Sequence, residues 1–209
     1  MPFLWDENRE VFIDSDSGEE LSLEDAEDLV DELIDDAAED IDIIIEEFLD
    51  TEAPKPDGWH AAFILLLKDL FLTLGALGIG GIALLDTTLS TQIQDALDRQ
   101  LGYLAGFAVQ VSQGRLSIRG IKQRSHMYTN STRQSYWLSR DEFERRRSMV
   151  QERWITRGDN HVCSPCNDAE DENWRTIGTF AQPGSGIVMI SPTTMCLGLT
   201  SCRCRKEYR

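Results

Sequence analysis

Apolar positions fall into three patterns along the chain. From Leu23 onward, Leu23, Ala26, Val30, Leu33, Ala37, Ile41, Ile44 and Phe48 recur every three or four residues, the period of a helix with one apolar face. Ser22 stands at its head as a candidate N-cap. Upstream, Phe3-Leu4-Trp5 and Val11-Phe12-Ile13 are short apolar clusters in a polar tail. Downstream, Thr51 to Gly58 reads as a linker, because Pro54, Pro56 and Gly58 break regular structure.

The second pattern, Trp59 to Trp154, predicts a mostly helical body. Trp59 to Lys68 opens a helix, and Leu70 to Leu85 is an uncharged run of 16 residues. Spanning a bilayer takes roughly 20 residues, and Lys68, Asp69 and Asp86 bound the run tightly. The run therefore predicts a buried helix or two packed helical pieces, with Gly75, Gly78, Gly80 and Gly81 permitting close approach or a bend. A membrane-inserting segment is the alternative. Ser90 to Gln113 carries Ile93, Leu97, Leu101, Leu104, Ala108 and Val111 at helical spacing, and Gly114 is a stop signal. Ile121 to Trp137 is a weaker helix rich in Ser, Thr and Asn. Ser139-Arg-Asp-Glu142 matches a capping box, which predicts a further helix to about Trp154.

In the third pattern, Gly158 to Arg209, short candidate strands (Ile177–Phe180, Ile187–Ile190, Cys204–Tyr208) surround a turn at 182–186. The predicted fold class is mainly α: a helical body (58–157), a small β-hairpin zinc-knuckle subdomain (158–209) and an acidic N-terminal arm (1–57).

Charge sharpens that division. Residues 1–57 hold 23 Asp and Glu against 2 Lys and Arg, whereas 58–209 hold 14 acids and 18 bases, so −21 and +4 make up the net −17. A uniformly basic nucleic-acid binder is excluded, since the whole-chain field repels phosphate. Met1–Glu10 carries acids where a cationic leader belongs, which argues against a secretory signal. The arm's helix has no base for i,i+4 pairing, so it repels itself and needs a partner surface along its apolar stripe, with cations beside it. Arg145, Arg146 and Arg147 are consecutive and fan around a helix; pairing to acids is their plain reading.

The five cysteines all lie in the last quarter. Cys163-x2-Cys166 is followed after 29 residues by Cys196-x5-Cys202-x-Cys204. A C-x-x-C turn places two sulfurs within reach of one ion, and a second cysteine group brought back by a hairpin completes a tetrahedron. Five thiols cannot all pair as disulfides in a monomer, and about 50 residues are too few for a large core, so a structural Zn²⁺ substitutes for burial. Four of Cys163, Cys166, Cys196, Cys202 and Cys204 are the expected ligands; His161 is a weaker alternative. Thiolate sites also accept iron. No H-E-x-x-H, G-x-S-x-G or P-loop occurs. His60, His126 and His161 are scattered, and the order needed for a zinc deaminase is missing. His161 with Asp159, Asp168 and Glu170 is the weak catalytic-metal reading. No enzyme and no small-molecule substrate are expected.

Cys163-Ser-Pro-Cys166, Trp174, Gly178, Pro183-Gly184, Cys196 and the closing Cys202-Arg-Cys204-Arg resemble the C-terminal signature of phage minor head, or head morphogenesis, proteins of the Mu F-like group. Gln100-Leu-Gly-Tyr-Leu104, Phe107 and Tyr128 resemble the helical body of those proteins, so the similarity covers about Trp59 to Arg209. Many members carry Pro-x-His before Cys-Arg-Cys; this chain has Cys196 earlier instead. The resemblance implies a structural virion or procapsid protein, present in the host cytoplasm during assembly. It also implies portal, capsid or neck partners, onto which the acidic arm would dock, ordering as it binds. The alternative is a non-specific DNA-binding zinc module using Arg203, Arg205, Lys206 and Arg209 with Arg115, Arg119, Lys122 and Arg124. A membrane-active protein using 70–85 is the third reading.

Overall fold

A computed structural model describes residues 3–9, 11–49, 56–156, 164–171, 173–180, 189–191, 194–195 and 204–209. Its longest element is the acidic helix α1 (Leu23–Leu49), which opens where the sequence places its cap. The Asp25 N–H donates to Ser22 Oγ (3.1 Å), and the Ser22 N–H donates back to Asp25 Oδ2 (2.9 Å). This reciprocal pair satisfies two backbone donors at once. The buried stripe is Ala26, Val30, Ile34, Ala37, Ile41 and Ile45. It lies one residue further along than the predicted Leu33 and Ile44, which flank it half-buried.

Helix α2 (Pro56–Ile79) begins inside the segment read as linker, with Pro56 at its first position, where a missing N–H costs nothing. Residues 50–55 lie outside the described set. The apolar run folds as the buried-helix reading expects. Helix α2 carries it to Ile79, Gly80 and Gly81 turn the chain with φ of 90° and 133°, and a 3₁₀ turn (Ile82–Leu84) follows. Gly58–Ile79 is long and apolar enough to cross a membrane, yet Trp59, Phe63, Leu67, Leu70, Phe71, Leu74 and Leu77 are buried in the protein's own core.

Helix α3 (Thr87–Ser112) starts earlier than the predicted Ser90, because Asp86 caps it by accepting the Leu89 N–H at 2.8 Å. It ends at Gly114, which has the left-handed φ of 64° that a helix stop favours. Helix α4 (Ile118–Ser131) is capped by Ser117, whose hydroxyl oxygen accepts the Gly120 N–H at 3.2 Å.

The weak helix expected to reach Trp137 ends at Thr132, and α5 (Arg133–Arg146) begins there. Around the junction the Ser131, Thr132 and Ser135 hydroxyls donate to the Tyr128, Thr129 and Thr132 carbonyls (2.7, 2.6 and 2.9 Å). Local side-chain bonds of this kind compete with an unbroken helical ladder. Ser139 caps nothing; it is buried in mid-α5 where that helix crosses α2. A Cβ on Gly78 would stand 2.3 Å from the Tyr136 carbonyl oxygen and 2.9 Å from Ser139 Cβ, so both positions must be small for the helices to touch.

The helix predicted through Trp154 is replaced from Gln151 by a strand. Two three-stranded antiparallel sheets flank the helices, and a two-stranded one is also present among the described residues. At the N-terminus β1 (Phe3–Asp6), β2 (Val11–Asp14) and β3 (Glu20–Leu21) form a meander from the clusters read as a polar tail. Near the C-terminus β4 (Gln151–Ile155) lies between β5 (Arg175–Thr176) and β8 (Arg205–Tyr208). Helix α6 (Ser164–Glu170) packs on β4, and β6 (Met189–Ser191) pairs with β7 (Thr194–Met195). The expected strand at 177–180 is turn and bend, displaced to β5; β8 lies where expected.

The core corrects the picture of a free arm. Ile41 and Ile45 pack with Trp59, Phe63, Phe107 and Tyr128, while Ala26, Val30, Ile34 and Ala37 pack with Leu70, Leu74, Tyr136 and Trp137. Helix α1 therefore finds its partner surface on α2, α4 and α5 of its own chain. The cations expected beside that surface are there. Lys122 meets Asp42 (3.4 Å) and Glu46, Arg133 pairs with Asp31, and Arg205 lies 3.7 Å from Glu27; the His126 ring also meets Asp42, with Nε2 at 3.0 Å.

Candidate functional site

The cysteine-bearing region is built on β4, where a polar-looking run, Gln-Glu-Arg-Trp-Ile, alternates in burial. Glu152 and Trp154 face inward and are 0% and 1% exposed. Cys166 enters from the first turn of α6, and Cys204 from the residue just before β8. Both are buried, at 1% and 6% exposure, in one small cluster with Trp154, Ala169 and Phe180. Thus one cysteine from each of the two distant groups reaches the same cluster. Neither is in a disulfide among the described residues. Cys163, Cys196, Cys202, His161 and Asp159 lie outside those residues. Among the described residues no three His, Cys, Asp or Glu side chains form a group fit to hold a metal. Of the residues in the weak catalytic-metal reading, Asp168 is exposed, and Glu170 accepts from the Thr156 hydroxyl at 2.6 Å.

Two buried thiols from separate segments are half of the donor set that a structural zinc ion takes, in a unit whose buried cluster among the described residues is five residues. Cys166 and Cys204 would each supply a sulfur. Cys204 also lines a small cavity with Glu27, Val30, Arg133, Tyr136, Trp137 and Arg205, so the unit sits on the seam between α1 and α5.

Sequence reasoning missed a second feature of this region, a buried charge cluster joining the sheet to α5. Lys206, fully buried on β8, points its ammonium at both Asp141 oxygens (3.1 and 3.0 Å) and at Glu152 Oε2 (2.9 Å). Tyr208 donates its hydroxyl proton to Asp141 Oδ1 at 2.7 Å. The second Glu152 oxygen accepts the Gly178 and Phe180 N–H groups (3.0 and 2.8 Å) and so fixes the turn after β5. Burial, followed by repulsion from Asp141, pushes the Glu152 carboxyl above its ordinary range, against the opposing pull of Lys206. Burial and Asp141 also push the Tyr208 hydroxyl well up.

From this cluster a stack of rings and guanidinium groups runs across the molecule. Arg140 lies over Tyr208 (6.0 Å) and Phe143 (5.0 Å), and Arg147 lies over Phe143 (5.6 Å) and Trp5 (5.3 Å). Trp5 in turn meets Phe12 edge to face at 5.0 Å. The C-terminal strand and the N-terminal meander are thereby tied to the same helix.

Beside the stack a cleft of about 550 Å³ opens between α1, α5 and the β4–β8 edge. Its charges are of both signs and largely answer one another: Arg153 with Glu207, Arg140 with Glu144, Arg205 with Glu27. Several of the cations proposed for DNA are similarly engaged. Arg124 donates to Gln110 (2.7 Å), and Arg209 lies over Trp174 (4.5 Å). Arg145 and Arg146 pair with Glu142, and Arg146 also with Asp86 at 2.6 Å. Arg115 and Arg119 are exposed, and Arg203 lies outside the described residues. Searched against protein-family models, curated proteins and solved structures, the chain matches none of them.

Proposed function

We propose that this chain is a structural head-morphogenesis protein of a phage, with a C-terminal unit held by a thiolate-bound zinc ion. The observation that carries the reading is the burial of Cys166 and Cys204 in one cluster, from two segments 38 positions apart in the chain. That convergence is what the cysteine spacing requires and what the resemblance implies. The other thiols needed to complete a tetrahedron are to come from Cys163, Cys202 and Cys196.

The docking role of the arm takes a changed form in this reading. Its apolar stripe is spent inside the chain, so a portal, capsid or neck protein would meet the outward carboxylates of α1, such as Glu32, Asp36 and Glu39. Docking is then a meeting of preformed surfaces, steered by charge. The DNA-binding alternative is weakened, because Lys122, Arg124, Arg205, Lys206 and Arg209 are spent on the chain's own groups. The membrane alternative is weakened by the burial of the α2 face that it needs.

Elemental analysis of the purified full chain tests the site, and electron microscopy of intact particles tests the role. One zinc per chain, lost in Cys166→Ser and Cys204→Ser, is the expected result. A wild-type chain free of metal after preparation with zinc would overturn the site. A chain absent from particles and procapsids would overturn the function.

A further inference from the structure

Helix α3 breaks the rule that a helix turns polar residues away from the core. Its buried positions (Ile93, Leu97, Gln100, Leu104, Phe107, Val111) all lie on one side. Directly opposite them, at 100° per residue, lie Asp95, Gly102, Gly106 and Val109, with Asp98, Arg99 and Ala105 beside them. From Leu101 to Val111 there is no charged side chain. Yet Val109 on that side is 52% exposed, and Tyr103 on the flank of the helix is 63% exposed.

The two glycines add to the anomaly. A mid-helix glycine costs about 1 kcal/mol relative to alanine, and the chain's own packing demands neither of them. A Cβ on Gly102 or Gly106 would meet nothing within 4 Å, whereas one on Gly75 or Gly78 would collide with the chain.

Charge indicates what covers this face. The N-terminal half of α3 exposes Asp95 and Asp98 against one base, Arg99, a net single negative charge, and Arg115 and Arg119 are exposed just past its C-terminal end. Among the described residues Asp95 and Arg115 have no ion pair. A parallel neighbour would set like charges together. An antiparallel copy crossing near Ala105 sets the acidic end of each helix beside the basic end of the other, and the small residues let the backbones approach. The acidic helix α1 packs on α2, α4 and α5, so its charge is not part of this face.

We infer that the outward face of α3, centred on Gly102, Ala105 and Gly106, is a twofold interface with a second copy of this chain. The contact is isologous, so the same patch serves both protomers. It does not depend on the zinc-bound head-protein reading.

Sedimentation equilibrium of the full chain tests it. Wild type should dimerise in the micromolar range. Gly106→Leu should be monomeric; because leucine is a better helix former and has open space there, circular dichroism should show an undiminished helix. Asp95→Arg and Arg115→Asp alone should each weaken association by about tenfold or more, and the double reversal should restore it. A monomeric wild type, a dimer indifferent to Gly106→Leu, or a double reversal that fails to restore association would each overturn the inference. So would a monomer that binds phosphatidylglycerol vesicles through this face.

Discussion

Two seams attach the chain's ends to the helical body, and they are built on opposite principles. Along the first, α1 buries small and branched apolar residues, and its ion pairs run mostly along the rim, with Arg133, which meets Asp31, the enclosed exception. Asp42 and Lys122 are each about a quarter exposed. Along the second, the β4–β8 sheet meets α5 through charges that are fully enclosed, with Lys206 and Glu152 both at 0% side-chain exposure. Apolar burial stabilises roughly in proportion to area and tolerates small changes. An enclosed ion cluster is costly to assemble and fails sharply when one member is lost. The N-terminal seam should therefore be graded in its response to mutation, and the C-terminal seam close to all-or-none.

Lys206→Met is the harshest test of that contrast. It leaves Asp141 and Glu152 facing each other without their shared cation, and the expected loss is about 4 kcal/mol. Urea unfolding should show it, with proteolysis opening near β4 before the helices. A loss below about 1 kcal/mol would mean that the cluster is not holding the sheet. Ile41→Ala on the other seam removes a fully buried side chain, at a cost of about 3 kcal/mol. Its urea transition should stay single, because Ile41 belongs to the main core. Separate melting of α1 would contradict that.

The two seams were unequally legible in the sequence, for a physical reason. Apolar periodicity exposed α1, its cap at Ser22 and even its need for nearby cations. It mistook only the line of the stripe, because 3.6 residues per turn drifts from any fixed alternation of threes and fours, and Ile34 and Ile45 replaced Leu33 and Ile44. The same logic failed at the other seam. Arg140, Asp141, Glu144, Glu152 and Lys206 are all buried, and charged residues are read as surface by default. The pattern thus divides α5 between the end of a weak helix at Trp137 and a new helix opening at Ser139, and extends the latter through β4. Arg140 and Glu144 answer each other one helical turn apart, but the partners of Asp141, Glu152 and Lys206 lie far along the chain, and no local window contains both members of such a pair. The cysteine spacing did point to two segments that meet, because Cys166 and Cys204 share one buried cluster. It could not reveal that the meeting point rests on a salt-bridged lysine two positions beyond Cys204.

The pH response separates the seams more gently. The Glu152 carboxyl is raised in the folded chain, chiefly by burial, so folding takes up protons there. Its contribution is fully present below the ordinary glutamate value and is lost as pH rises through the raised one. Glu152→Gln removes that titration but keeps the shape. Relative to wild type, the variant should gain stability as pH rises from acid to neutral. A constant difference across that range would show that Glu152 titrates alike in the folded and unfolded states.

The smallest expected effect concerns salt, and its sign is the informative part. Helix α1 carries 13 acidic and no basic side chains, and only a few cations of the body reach them. Screening weakens the rim pairs, but it also relieves repulsion among the many carboxylates that have no cation at hand. Because unlike contacts are few and like contacts many, relief should win. Melting temperature should rise modestly from low salt to physiological salt, and Lys122→Gln should steepen the rise by deleting a favourable pair. The enclosed Lys206 cluster lies beyond the reach of mobile ions, so Lys206→Met should lower the curve without changing its slope. A melting temperature that falls with salt would mean that the rim pairs, and not the apolar stripe, hold α1 in place.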